Sequence, residues 1–125
     1  MKISEIMNKA LAIEEKTSLK EAAKIMSDKN VGGLIVMKGD KVSGIVSESD
    51  ILKSVSNLGK KVSEVMNKKV ISIDKSDSVE DAAEIMAQNK IKRLPVFSKG
   101  ELVGIVTATD ILAHSEAIND DFFFD

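Results

Sequence analysis

The sequence predicts an α+β fold built from two similar halves, on three observations. A heptapeptide is spelled twice, GIVSESD at 44–50 and GIVTATD at 104–110. Around it, residues 31–52 and 91–112 are identical at eight of 22 positions at an offset of 60. Segments of helical apolar spacing alternate with short β-branched runs, the mark of mixed architecture. Upstream, ISEIMNK (3–9) matches VSEVMNK (62–68) at an offset of 59, and SLKEAAKIM (18–26) matches SVEDAAEIM (78–86) at 60. The first repeat therefore runs over residues 1–58 and the second over 59–118, with an acidic aromatic tail at 119–125. The junction falls in SNLGKK (56–61), where Asn57 and Gly59 punctuate the chain.

Each repeat reads in the same order. A short amphipathic helix opens it, with Ser4 or Ser63 as N-cap. A brief extended segment follows, LAI (11–13) or VISI (70–73). A clear helix comes next. Ser18 with Glu21, and Ser78 with Asp81, fit capping boxes, and Leu19, Ala22, Ala23 and Met26 recur at helical spacing, as do Val79, Ala82, Ala83 and Met86. Two apolar runs then form a hairpin: GLIVM and KVSGIV around KGD, or RLPVF and ELVGIV around SKG. Pro95, inside RLPVF, points to an edge strand or a bend. The heptapeptide leads from the last strand into a final helix. The order is β-α-β-β-α, twice, and a sixty-residue unit alone buries so little core that the two are expected to pack on each other.

Composition excludes several classes. The chain has no cysteine, so disulfides and thiolate metal sites are ruled out. No apolar run approaches the ~20 residues needed to cross a bilayer, and MKISEIMNKA has no apolar stretch of a signal peptide. A soluble, cytoplasmic protein without membrane contact is expected. The formal net charge is −2, and the tail NDDFFFD holds three of the acidic residues. The lysines are spread without a basic run and stacking aromatics are missing outside the tail, which argues against nucleic acid as a partner. His114 is the sole histidine and its spacing suggests a helix flank. No catalytic residue, metal-ligand spacing or P-loop signature is present, so the chain does not read as an enzyme and needs no cofactor.

The repeated motif has two readings. Ser47-x-x-Asp50 and Thr107-x-x-Asp110 each match a capping box, in which a hydroxyl and a carboxylate satisfy the first N–H groups of a helix. A strand-to-helix turn is also a usual place for ligands, and a carboxylate there can accept two hydrogen bonds from a ribose cis-diol. In that reading Ile45-Val46 and Ile105-Val106 are apolar walls for a flat base.

With SEIMNK and SEVMNK, the paired helices, IKRLPVF and two copies of G-I-V-[ST]-x-[ST]-D in register, the chain resembles a tandem pair of cystathionine-β-synthase (CBS) domains, a Bateman module, over residues 1–118. The resemblance implies two β-α-β-β-α units packed around a pseudo-twofold axis. It implies two clefts for adenosyl ligands such as AMP, ADP, ATP or S-adenosylmethionine, each taking its carboxylate from one repeat and much of its lining from the other. One cleft would use Ile45, Ser47 and Asp50, with Ile71 and Ser72 at the base and Lys92 and Arg93 facing the phosphates. The other would use Ile105, Thr107 and Asp110, with Ala12 and Ile13 at the base. There Gly32 and Gly33 stand where the first cleft has its basic pair, so that cleft would hold less phosphate charge. Arg93 is the only arginine, and its planar fork suits phosphate.

The expected function is a stand-alone regulatory sensor of adenine nucleotides that passes its state to an effector protein. The alternatives are an interaction adaptor without ligand, served by the NDDFFFD tail, and a nucleic-acid-associated regulator. A homodimer is expected, through the apolar faces of SDILKSV and TDILAHS.

Overall fold

The computed structural model describes residues 1–114; the tail 119–125 lies outside the described residues. The chain forms two compact units that do not coincide with the sequence repeats. One holds Ala10–Val70, and the other holds, among the described residues, Met1–Lys9 together with 71–114. Each repeat thus lends its opening segment to the unit built mainly from the other.

In the unit Ala10–Val70, β1 (Ala12–Glu14) is followed by α1 (Leu19–Lys29), β2 (Gly33–Lys38), β3 (Lys41–Ser47) and α2 (Glu48–Lys53). The sheet order is β1-β2-β3, with β1 parallel and β3 antiparallel to the central β2. A parallel pair needs a long crossover, and α1 supplies it. Ser18 caps α1 by accepting from Glu21 N at 3.1 Å. Leu19, Ala22 and Met26 on α1, with Leu34, Val36 and Val46 on the sheet, form the core, and Val62 completes it from the opening segment of the second repeat. That segment and the junction before it also accept the first free helical N–H groups: Leu19 N donates to Lys60 O at 2.8 Å and Lys20 N to Leu58 O at 3.0 Å.

The second unit repeats this with β4 (Ile73–Asp74), α3 (Val79–Asn89), β5 (Arg93–Ser98), β6 (Glu101–Thr107) and α4 (Ala108–Ala113) in the sheet order β4-β5-β6. Its core takes Ile3 and Ile6 from the start of the chain, beside Ile73, Ala82, Met86, Leu94, Val96 and Val106. Val79 N, at the start of α3, donates to Met1 O at 2.9 Å. Ala83 stays exposed and Ala23 half-buried, so both alanines stand outside the core stripe their spacing suggested.

Pro95 is not on an edge: β5 is the central strand. Its position explains a difference between the sheets. In the first, Ile35 N donates to Leu11 O at 3.0 Å and β1 pairs over three residues. Pro95 occupies the place of Ile35 and has no N–H to give. The ladder there begins only at Ile73↔Val96, so Ile71 and Ser72 precede the short strand and do not belong to it.

The short helices expected at the repeat starts are single 3₁₀ turns, Ile3–Glu5 and Val62–Glu64, and Ser4 and Ser63 lie within them. The turns begin two residues earlier than Ser4 or Ser63 could cap, with Lys2 and Lys61 at the N-cap positions. The N–H groups of Lys2 and Lys61 are taken by the carboxylates of Glu5 and Glu64 at 2.6 and 2.8 Å. After each turn the segment runs against the last strand of its host sheet. Asn8 exchanges two backbone bonds with Ile105, both 2.9 Å, and Asn67 does the same with Ile45 at 3.1 and 2.9 Å. This crossing is why the motif begins with glycine. A Cβ at Gly104 would sit 2.8 Å from Asn8 O, and one at Gly44 would sit 2.5 Å from Met66 Sδ and 3.0 Å from Asn67 O.

Two consequences can be measured by urea unfolding. Gly104→Ala should cost about 1–3 kcal/mol by overpacking, because the obstacle is backbone held in a bridge. Gly44→Ala should cost less, since the Met66 side chain can rotate away. The second test concerns the ends of α1 and α3, which close on left-handed residues, Asn30 and Lys90, both at φ 54°. Lysine adopts that conformation at a greater cost than Asn or Gly, so Lys90→Gly should stabilise by about 1 kcal/mol.

Candidate functional site

The heptapeptide folds as the capping reading requires. β3 ends at Ser47, whose extended backbone hands over to α2. Asp50 Oδ2 accepts from Ser47 N at 2.8 Å and from Ser47 Oγ at 3.1 Å, and Ser47 Oγ also lies 3.0 Å from Ser49 Oγ. In the other unit, Asp110 Oδ2 accepts from Thr107 N and Thr107 Oγ1, both at 2.9 Å, and Asp110 N donates to Thr107 Oγ1 at 3.2 Å. Each cap bond engages one carboxylate oxygen. A capping carboxylate therefore keeps its other oxygen, and the capping and ligand readings are compatible.

The second oxygen is where the two turns part. Asp110 Oδ1 accepts from Asn8 Nδ2 at 2.9 Å. Among the described residues no such bond reaches Asp50 Oδ1. Asn67, the counterpart of Asn8, instead accepts from Lys69 N through its own Oδ1 at 3.0 Å. Sequence reasoning saw the repeated MNK only as a mark of the repeat. The signal that could have found Asn8 is its polar side chain next to a backbone bridge to the motif's own strand.

The start of each central strand lies against its unit's motif. Gly33 is the ladder partner of Ser47, and Glu48 N donates to Gly32 O at 3.1 Å. Arg93 is likewise the partner of Thr107, and Ala108 N donates to Lys92 O at 2.8 Å. The unit Ala10–Val70 therefore gathers Ala12, Ile13, Gly32, Gly33, Ile45, Ser47 and Asp50, whereas Ile71, Ser72, Lys92, Arg93, Ile105, Thr107 and Asp110 belong to the other unit. The carboxylate of each expected cleft and the lining assigned to it fall in different units. Lys92 is exposed and Arg93 half-buried. Of the apolar walls, Val46 and Val106 are fully buried in the cores and cannot line a ligand site; Ile45 and Ile105 are half-buried.

His114 is exposed at the end of α4, its Nδ1 2.8 Å from Asp110 O. Among the described residues, no group of three or more His, Cys, Asp or Glu side chains is gathered for a metal, and no helix is long and apolar enough to cross a membrane. The unit Ala10–Val70 also carries an open groove of about 590 Å³ lined by α1 and α2, with Met26, Val31, Ile51 and Leu52 among its walls.

The model of the CBS domain family matches the chain twice, over residues 3–57 and 62–117. An uncharacterized protein of Methanocaldococcus jannaschii, MJ1232, is 40% identical over 101 residues, 80% of this chain and 34% of that protein. An inosine-5'-monophosphate dehydrogenase of Thermoplasma acidophilum is 36% identical over 89% of this chain but only 23% of the enzyme. This chain thus spans a third or less of the length of these relatives. Among solved structures, the CBS domain pair of protein MJ0100, in complex with 5-methylthioadenosine and S-adenosyl-L-methionine, superposes with a TM-score of 0.83 at 30% identity, covering 89% of this chain and 92% of that one. CBSX2 in complex with AMP gives 0.82 at 27% identity, covering 94% and 98%. The two matched domains take up nearly all of the 125 residues and leave no room among them for a catalytic domain. The fold, the doubled motif and both family matches agree: this chain is a pair of CBS domains and belongs to the CBS domain family.

Proposed function

We propose that the chain is a sensor of adenosine-containing ligands, binding AMP, ADP, ATP or S-adenosylmethionine through the ribose and passing the bound state to an effector protein in the cytoplasm. The observation that carries this reading is the repeated carboxylate turn, in which Asp50 meets its cap bonds through Oδ2 alone. Support comes from similar CBS pairs whose structures hold S-adenosyl-L-methionine, 5-methylthioadenosine or AMP. In this reading Asp50 takes the ribose diol at one site, with Ile45 and Ser47 beside it, Ile71 and Ser72 at the base, and Lys92 and Arg93 on the phosphates. Asp110 serves the other site with Ile105 and Thr107, Ala12 and Ile13, and the uncharged Gly32 and Gly33. Coupling to an effector follows only as far as the ligand binds two states of the protein unequally.

A homodimer is the assembly we favour. Leu52 is 72% and Leu112 54% exposed, at equivalent positions of α2 and α4. A second copy of the chain would present the same leucines in return, as a twofold contact requires.

Two experiments test these proposals. AMP, ATP or S-adenosylmethionine should raise the melting temperature, with about 2.7 kcal/mol of stabilisation at 100 times the dissociation constant, and GMP should do so less. Asp50→Asn should keep the cap and weaken nucleotide binding about tenfold, since a charge-assisted bond is lost. Equal response to adenosine and guanosine ligands would refute the sensor reading, and unchanged binding by the mutant would refute the assignment of Asp50. For the assembly, light scattering should give a dimer at micromolar concentration, and Leu52→Asp should shift it to monomer without unfolding it. A monomeric parent protein refutes the dimer.

A further inference from the structure

Resting on the ribose reading above, we propose that Asn8 sets the difference between the two sites. Its side-chain amide holds the Asp110 oxygen that a ribose diol needs, so ligand binds at Asp110 only by exchanging that bond, and Asp110 is the weaker site. Asn8 and Asp110 lie in the same unit. Asp110 already accepts three hydrogen bonds, two from Thr107 on Oδ2 and one from Asn8 on Oδ1. Among the described residues Asp50 accepts two, both from Ser47 on Oδ2, and none on Oδ1. A cis-diol brings two donors, and a carboxylate grips both only when each oxygen can turn a lone pair to the ligand.

The cause of the difference is visible in the chain. MNK is spelled at 7–9 and at 66–68, and both asparagines are bridged by backbone to the motif's strand. The second repeat then has one more residue before its helix, which is the change of offset from 59 to 60. With that added residue Asn67 bonds Lys69 N, two positions along, in an Asx turn. Asn8 has no such turn, and its Nδ2 reaches Asp110. Because Asn8 is also paired to Ile105 through its backbone, the amide is presented to the carboxylate by a fixed segment. Asn8 is accordingly a positioning residue: it acts on the ligand through Asp110.

The test isolates the Asp110 site by working in the full chain carrying Asp50→Asn, with AMP and S-adenosylmethionine as calorimetric probes. Adding Asn8→Ala should raise affinity about three- to tenfold, the worth of one competing hydrogen bond. Asn67→Ala, at the matching position, should leave it unchanged. The side chain of Asn8 is exposed and its pairing is through the backbone, so the fold should survive; Asn8→Ser is the second substitution, with the same expectation. A structural defect would weaken binding, whereas displacement of a competitor strengthens it. In the parent protein the Asn8 side-chain amide resonance should move as either probe saturates. Unchanged or weakened affinity on Asn8→Ala overturns this inference and leaves the sensor reading standing. Failure of both probes to bind the parent protein overturns both.

Discussion

The backbone bridge between each opening segment and the strand that carries the motif is the constraint on which the rest depends. Asn8 with Ile105 and Asn67 with Ile45 are short exchanges of two bonds each. They hold the opening segments in units they do not belong to by sequence. The hydrophobic gain is substantial, since Ile3, Ile6 and Val62 are buried and a fully buried aliphatic side chain contributes roughly 1.5–3 kcal/mol. The segments also receive the free N–H groups at the starts of α1 and α3, which would otherwise be left to solvent. Each crossing leaves no room for a side chain on the strand beneath, which places Gly44 and Gly104 at the head of the motif.

Bulges place the next residues. β3 slips its register between Val36 and Met37, and β6 between Val96 and Phe97, leaving Ser43 and Val103 as the extra residues just before those glycines. A bulge re-aims the chain that follows. After it, Val46 and Val106 point into the cores, while Ser47 and Thr107 end the strands in extended conformation and cap the helices. The carboxylates are therefore oriented by strand, bulge and cap together, and little of their orientation rests on the six-residue helices they open.

Much of this was legible in the sequence, and the failures are instructive. The α+β class, the repeat, the long helices with Ser18 and Ser78, and both hairpins follow from local patterns of spacing and capping, which depend on neighbours three or four residues away. The compact units were not legible, because the pairing of Asn8 with Ile105 spans almost the whole chain and leaves no local trace. The expected strand over 70–73 pairs only from Ile73 because Pro95 lacks the N–H that Ile35 gives to Leu11 in the other sheet, a consequence of the proline that its unusual place in RLPVF signals. The capping motif was found by type and spacing. The partner of its second oxygen was not, because that choice depends on a side chain from the other end of the chain.

Duplication gives two copies of one turn, and the differences around them include one inserted residue, one proline, and a basic pair in place of two glycines. In one unit Pro95 shortens the ladder at the base of β5, and Lys92 and Arg93 begin that same strand. In the other unit Asn67 bonds Lys69 N. If both turns held ligand identically, the module would report only total concentration. On the proposal above, two carboxylates that differ in free acceptor oxygens would fill in sequence as ligand rises, the one without the Asn8 bond first. A second ligand would then find the first site occupied, and its binding would have to release an amide held by the start of the chain. Such a pair would respond over a wider concentration range than two equal sites, and the second step would touch a segment that the first does not.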